Sequence, residues 1–285
     1  MLLKSYAKIN LFLTVSRKRP DGYHDIETLF ERISLADEIT LRRASSGIKI
    51  KTNSKKLPRG RANIAYRAAE LLKKKFGVRE GVIIGIKKNI PIAAGLGGGS
   101  SNAATVLVGL NRLWRLDLSK KELMKLALQL GSDVPFFILD TPLALGSGRG
   151  EVLREIKAPG LKIWHCLVKP GFSISTKTAY QSLKSSCLTP QKANVKMLLH
   201  SIQKGKASTL ARLLVNSLEV TLNKRVVTIF ELKKKLLEQG ALGCLMSGSG
   251  SAVFGIYPSK SSALKATRFL RRKNKNWQVF CASTV

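Results

Sequence analysis

Gly97, Gly98, Gly99, Ser100 and Ser101 stand together inside the run P-I-A-A-G-L-G-G-G-S-S-N-A-A, which spans Pro91 to Ala104. Residues without a Cβ let backbone N–H groups converge on an anion, and a helix starting directly behind them adds the positive end of its dipole. Such a loop suits nucleotide phosphates. Two other places carry groups that could act beside it. In Ala7 to Val15 the apolar residues Ile9, Leu11, Leu13 and Val15 alternate with Lys8, Asn10, Phe12 and Thr14, so a strand there presents Lys8 and Asn10 on one face. Taken alone, that segment reads equally well as an edge strand with a solvated lysine. Asp133, in L-G-S-D-V-P-F-F, is an acid set just before an apolar segment. It is a candidate base, or an N-cap, since acids favour that position and proline favours the first turn.

The elements around these residues follow from periodicity. Val82, Ile84 and Ile86 alternate before the loop as in a buried strand, and Ala103, Leu107, Leu110 and Trp114 recur after it as the apolar stripe of a helix. Ser119 and Glu122 have capping-box spacing ahead of a short helix with Leu123, Ala127 and Leu130 on its inner face, and Gly131 stops it. The loop has neither the Lys-Ser/Thr pair of a Walker A loop nor the third glycine of a Rossmann fingerprint, and protein-kinase landmarks are missing.

With those three readings gone, the loop resembles motif two of the GHMP kinases, small-molecule kinases acting on galactose, homoserine, mevalonate and phosphomevalonate. A-K-I-N-L-F-L at Ala7 to Leu13 is similar to the family's motif one, and L-M-S-G-S-G-S-A-V-F-G at Leu245 to Gly255 to its motif three. The resemblance implies an α+β, two-lobed fold with the active site in the inter-lobe cleft. It puts an ATP-binding lobe over residues 1–150 and a C-terminal lobe over 151–285. It implies ATP held by Pro91, Gly95, Gly97, Gly98, Gly99, Ser100 and Ser101, with Asp133 as base and Lys8 as its electrostatic partner. Mg²⁺ is expected, with no protein ligand assigned. Asn63 and Lys88 align with positions lining the adenine pocket. From the residues alone, Asn63 reads equally as a helix N-cap, and Lys88 more readily as a solvated strand-end lysine.

Asp21-Gly22-Tyr23-His24 resembles the segment of one branch of the family, whose substrate is 4-diphosphocytidyl-2-C-methyl-D-erythritol in the non-mevalonate route to isoprenoid precursors. There the tyrosine and histidine hold cytosine by stacking and edge hydrogen bonds. Asp21-Gly22 also reads as a hairpin turn on which Tyr23 and His24 ride. P-G-F-S-I-S-T-K-T-A-Y at Pro170 to Tyr180 is similar to a family segment that implies Thr176 at the substrate and Tyr180 on the other face of the base, although Tyr180 as helix core reads as well. Asn10, Ser247 and Gly248 complete the implied substrate contacts. Competing readings are a homoserine or mevalonate kinase of the same family, and a non-catalytic RNA-binding relative of the fold.

Composition bounds these readings. The chain has 285 residues, 44% of them apolar, and its mean hydropathy is +0.01, which excludes a transmembrane protein. Lys4 and Lys8 interrupt the apolar start, so no signal peptide is expected. Cys166, Cys187, Cys244 and Cys281 are scattered singly, which predicts neither a zinc site nor a disulfide framework and fits a reducing cytoplasm. Fifty Lys and Arg against 17 Asp and Glu give a net charge of +33, spread along the chain. A field of that sign attracts polyanionic substrates. With sparse aromatics and no RNA-recognition signature, no specific nucleic-acid partner is expected, and the chain is read as a monomer or weak homodimer.

Overall fold

The computed structural model describes residues 1–183, 192–219 and 226–285, so Cys187 lies outside the described residues. Contacts divide the chain into two compact units: Met1–Ala7, Ala36–Ile92 and Gly97–Thr141 form one, and Lys8–Leu35, Ala93–Leu96 and Pro142–Val285 the other. Two long strands, β1 (Leu2–Lys18) and β2 (His24–Ala44), each contribute to both units.

In the first unit the later part of β2 pairs antiparallel with β4 (Gly81–Lys87), which pairs parallel with β3 (Ile48–Thr52). Leu41 stands opposite Ile84, and Ile50 opposite the same residue on the other side. Period two in β4 puts Val82, Ile84 and Ile86 into the core, as the alternation predicts. Four helices supply the opposing layer: α1 (Ile64–Lys75), α2 (Gly98–Leu113), α3 (Lys120–Leu130) and α4 (Val134–Leu139). Ala65, Ala68 and Leu72 of α1, with Ala103, Leu107 and Leu110 of α2, join one apolar cluster with the strands. Burying one such leucine side chain stabilises the unit by roughly 1.5–3 kcal/mol. The capping box at Ser119 and Glu122 forms, and Leu123 and Ala127 are buried, while Leu130 is only half-buried.

The second unit carries β5 (Leu143–Ser147), β6 (Val152–Glu155), β7 (Trp164–Lys169), α5 (Thr176–Gln181), α6 (Lys192–Gln203), α7 (Ala207–Arg212), β8 (Val215–Asn216), α8 (Val226–Glu238), β9 (Gly243–Met246), β10 (Val253–Tyr257), α9 (Lys260–Lys273) and β11 (Gln278–Ser283). β8 pairs parallel with β1 through Phe12 and Val215, and β2 pairs antiparallel with β5. A separate antiparallel sheet runs β11-β7-β10-β9. Cys166 and Val168 of β7, Met246 and Val253 of the adjoining strands, and Leu232, Leu236 and Leu270 of α8 and α9 form its core. Among the described residues, no helix is long and apolar enough to cross a membrane.

Candidate active site

In the first unit the connection from β4 ends at Gly97, whose φ of 66° and ψ of 13° are left-handed, a conformation that glycine adopts without penalty. Gly97 caps α2 with no side chain, and Ser101 N donates to its carbonyl at 2.9 Å, closing the first helical turn. The amides of Gly98, Gly99 and Ser100 precede that bond. In an α-helix such amides lie at the open N-terminal end, where the dipole favours an anion. Pro91, at the loop entry, is buried.

Lys88 departs from its expected solvated position. Its side chain is 7% exposed, and Nζ donates to Asp37 Oδ2 at 2.5 Å. Burial pushes the Lys88 ammonium below the ordinary lysine range, and Asp37 opposes that shift. Asn63 is buried and caps α1: its Oδ1 accepts from Ala65 N at 3.0 Å, and its Nδ2 donates to Pro58 O at 2.8 Å. Asp133 occupies the N-cap position of α4 with Pro135 in the first turn, yet its side chain makes no capping bond. The N-cap reading holds for its place on the chain and not for its carboxylate.

In the second unit β1 is covered on both sides. Lys8 is 4% exposed, so the edge strand with a solvated lysine is not what forms. Its Nζ donates to Asn10 Oδ1 at 2.7 Å and lies 5.0 Å from the centre of the Phe30 ring. Asn10 Nδ2 donates to Thr28 Oγ1 at 2.7 Å, and Thr28 Oγ1 donates to Phe12 O at 2.7 Å. The pair predicted from strand alternation is therefore oriented by a chain of hydrogen bonds.

The turn around Ser247 grips residues 93–96 from the same unit. Ser247 Oγ accepts from Asn10 N at 3.3 Å and donates to Gly95 O at 2.9 Å, while Lys8 N donates to Leu96 O and Ala252 N to Ala94 O. Gly95 has a φ of +76°, and a Cβ there would run into Ser247 O. Asn216 on β8 fastens the turn by donating to Met246 O and Gly248 O at 2.7 and 2.8 Å.

The hairpin between β1 and β2 closes where Arg19 N donates to Tyr23 O at 2.7 Å, with Gly22 at a φ of +82°. Tyr23 is 55% exposed, with the Arg149 guanidinium 5.0 Å from its ring. The His24 ring lies 5.8 Å from that of Tyr180, tilted by 31°, and Thr176 Oγ1 is 3.0 Å from Ser249 Oγ. The structure thus brings His24 to Tyr180 and gives Tyr23 to Arg149. Partial burial, and then the charge of Lys18, push His24 below the usual histidine value, so its imidazole is neutral at pH 7.

No three His, Cys, Asp or Glu side chains gather as a metal cage among the described residues. Burial pushes the Cys166 and Cys244 thiols up to about 12, which leaves them protonated and poor nucleophiles.

Comparison with known proteins decides what this arrangement belongs to. The family model described as GHMP kinases N terminal domain matches residues 63–141, and the one described as GHMP kinases C terminal matches residues 198–276. The chain belongs to the GHMP kinases. This GHMP kinase is 46% identical over 271 residues to the 4-diphosphocytidyl-2-C-methyl-D-erythritol kinase of Pelotomaculum thermopropionicum, covering 94% of this chain and 93% of that one. It is 47% identical over 270 residues to the enzyme of the same name from Alkaliphilus oremlandii, with 94% and 91% covered. The crystal structure of a 4-(cytidine 5'-diphospho)-2C-methyl-D-erythritol kinase superposes with a TM-score of 0.86 at 35% identity, over 99% of this chain and 98% of that one. The crystal structure of L. major mevalonate kinase in complex with R-mevalonate shares the fold at a TM-score of 0.78 and 16% identity. The fold is the two-lobed α+β fold of GHMP kinases, and the protein is an ATP-dependent small-molecule kinase.

Several residues of this GHMP kinase escape a reading by motif. Asp37, Asn102, Ser5 and Asn216 hold the loop and the Ser247 turn, and Asp37, Ser5 and Asn216 lie within no glycine run or aromatic cluster. Asn102 follows the two loop serines directly, which was the one signal available.

Proposed function

We propose that this chain transfers the γ-phosphoryl group of ATP to the 2-hydroxyl of 4-diphosphocytidyl-2-C-methyl-D-erythritol, in the non-mevalonate route to isoprenoid precursors. The observation that carries this reading is identity above 45% to kinases of that name along more than nine tenths of both chains. The His24–Tyr180 ring pair supports it, since a pyrimidine needs flat apolar faces and edge donors.

Phosphoryl transfer passes through a loose transition state, so the protein contributes chiefly position and charge. In this reading the loop from Gly97 to Ser101 holds the β- and γ-phosphates through the amides of Gly98, Gly99 and Ser100, the Ser101 amide closing the first helical turn, and Pro91 and Gly95 shape the approach to them. Asp133 takes the proton of the attacking hydroxyl, a step worth about 10²–10⁴-fold in rate. Lys8, oriented by Asn10, offsets negative charge on the transferring group. Tyr23, His24, Thr176, Tyr180, Ser247 and Gly248 receive the cytidine end and its linkage, and residues 1–150 and 151–285 act as ATP-binding and C-terminal lobes. The start of α2 fits a triphosphate: a left-handed glycine without a side-chain cap leaves its first-turn amides to an anion. Mg²⁺, when bound, would supply positive charge against the triphosphate; such an ion keeps much of its water and needs no all-protein cage, and no residue of this chain is assigned to it. Asn63 is committed to its cap and Lys88 to Asp37, so both shape the nucleotide pocket from behind. The enzyme works in the cytoplasm as a monomer or weak homodimer.

ADP release measured with a panel of acceptors tests the substrate. The cytidine compound should turn over, and homoserine, mevalonate and galactose should not. Turnover of homoserine or mevalonate without turnover of the cytidine compound would overturn the assignment.

A further inference from the structure

Asp37 lies in β2 with none of its surface exposed and accepts four hydrogen bonds. Its Oδ1 accepts from Asn89 N at 2.7 Å and Ile90 N at 2.8 Å; its Oδ2 accepts from Lys88 Nζ at 2.5 Å and Asn102 Nδ2 at 2.9 Å. Three of these donors precede the glycine loop in sequence, and the fourth follows it. Asn102 Nδ2 also donates to Ser5 Oγ at 2.8 Å, and Ser5 Oγ donates to Ser101 Oγ at 2.8 Å. Lys88 reaches the start of α2 as well, since a Cβ built on Gly98 would stand 2.9 Å from Nζ.

A buried ion pair is weak as a source of stability, because desolvating both charges offsets most of their attraction. What this carboxylate does supply is geometry. Each of its oxygens binds two donors, and together they connect the entry of the loop to the first turns of the helix behind it.

We propose that Asp37 is a positioning residue for the nucleotide phosphates: it holds both ends of the glycine loop in register, so that the amides of Gly98, Gly99 and Ser100 are aimed before ATP arrives. The inference rests on reading residues 97–101 as the ATP phosphate cradle. Preorganisation of this kind matters because a displacement of about 1 Å among groups that position a substrate can cost about 10²-fold in rate.

Asp37→Asn divides the network in two. The remaining Oδ1 still accepts from Asn89 N and Ile90 N, whereas the new NH₂ group faces the Lys88 ammonium and the Asn102 amide, donor against donor. ATP affinity by titration calorimetry should fall about tenfold or more, with KM for ATP rising in step and KM for the acceptor alcohol staying within about twofold. Adding Asn102→Asp reverses the polarity of the lost bond and returns the negative charge to the pair. ATP affinity should then recover most of the loss.

Failure of the wild-type protein to bind ATP would remove the cradle reading and this inference with it. Wild-type binding matched by a folded Asp37→Asn variant overturns the inference alone, as does a double variant no better than the single one. Should Asp37→Asn not fold, Ser5→Ala decides: it deletes one hydroxyl of the same network and should weaken ATP about threefold. Unchanged ATP affinity in that variant rejects the role of the network.

Discussion

The first turns of α1 and α2 lie in the same compact unit and are built in opposite ways. At α1, Asn63 is in extended conformation and its side chain accepts from Ala65 N, so the helix satisfies one of its own open donors. At α2 the capping residue is Gly97, left-handed and without a side chain, and the amides behind it are left to whatever anion comes. α3 and α9 follow the α1 pattern, each with a complete capping box. α4 follows α2 in one respect, because Asp133 stands at its N-cap and makes no capping bond. The two helix starts that lack a side-chain cap in this unit are the two to which chemistry is assigned. A helix that caps itself has used the positive end that a phosphate would need.

That contrast can be broken in four ways. Asp133→Asn should cut turnover by about 10²–10⁴-fold, measured as ADP release, while ATP binding by calorimetry stays nearly intact. Undiminished turnover would return Asp133 to the class of ordinary N-cap positions. Gly97→Asp gives α2 a carboxylate of its own, which competes with and repels the triphosphate. ATP affinity should fall by about tenfold or more, with a stability cost of about 1–2 kcal/mol for a side chain in left-handed backbone. ATP affinity equal to wild type would show that the start of α2 does not hold phosphate.

Asn63→Ala makes the converse change. Chemical denaturation should show a loss of about 1 kcal/mol, and KM for ATP should stay within about twofold, because the amide serves the helix. A tenfold rise in KM with stability unchanged would instead place Asn63 at the adenine. The smallest effect is ionic. Raising salt from about 0.05 to about 0.3 M shortens the screening length and should raise KM for ATP a few-fold, while the neutral cap of α1 is untouched. An ATP KM independent of salt would mean that the +33 charge does not steer the nucleotide.

Much of this site is legible in local patterns. The strand at Val82 to Ile86, the glycine loop, the helix behind it, the capping box at Ser119 and the turn at Asp21-Gly22 all follow from periods and turn chemistry that reach only a few residues. So does the Lys8–Asn10 pair, two residues apart on one strand face. Lys88 misleads at that range. Its neighbours suggest a strand end in water, and its partner is Asp37, 51 residues away, brought to it where β2 and β4 pair.

By itself, then, the amino-acid sequence determined the order and type of the elements around the glycine loop, the three motifs and through them the family. Tertiary structure alone decided which side chains meet across the chain: the buried Lys88 with Asp37, Ser247 with Gly95 across 152 residues, and His24 with Tyr180. The physical reason is range. Backbone preference and side-chain period act between neighbours, whereas the partner of a buried polar group is set by strand register and packing, which no short window contains.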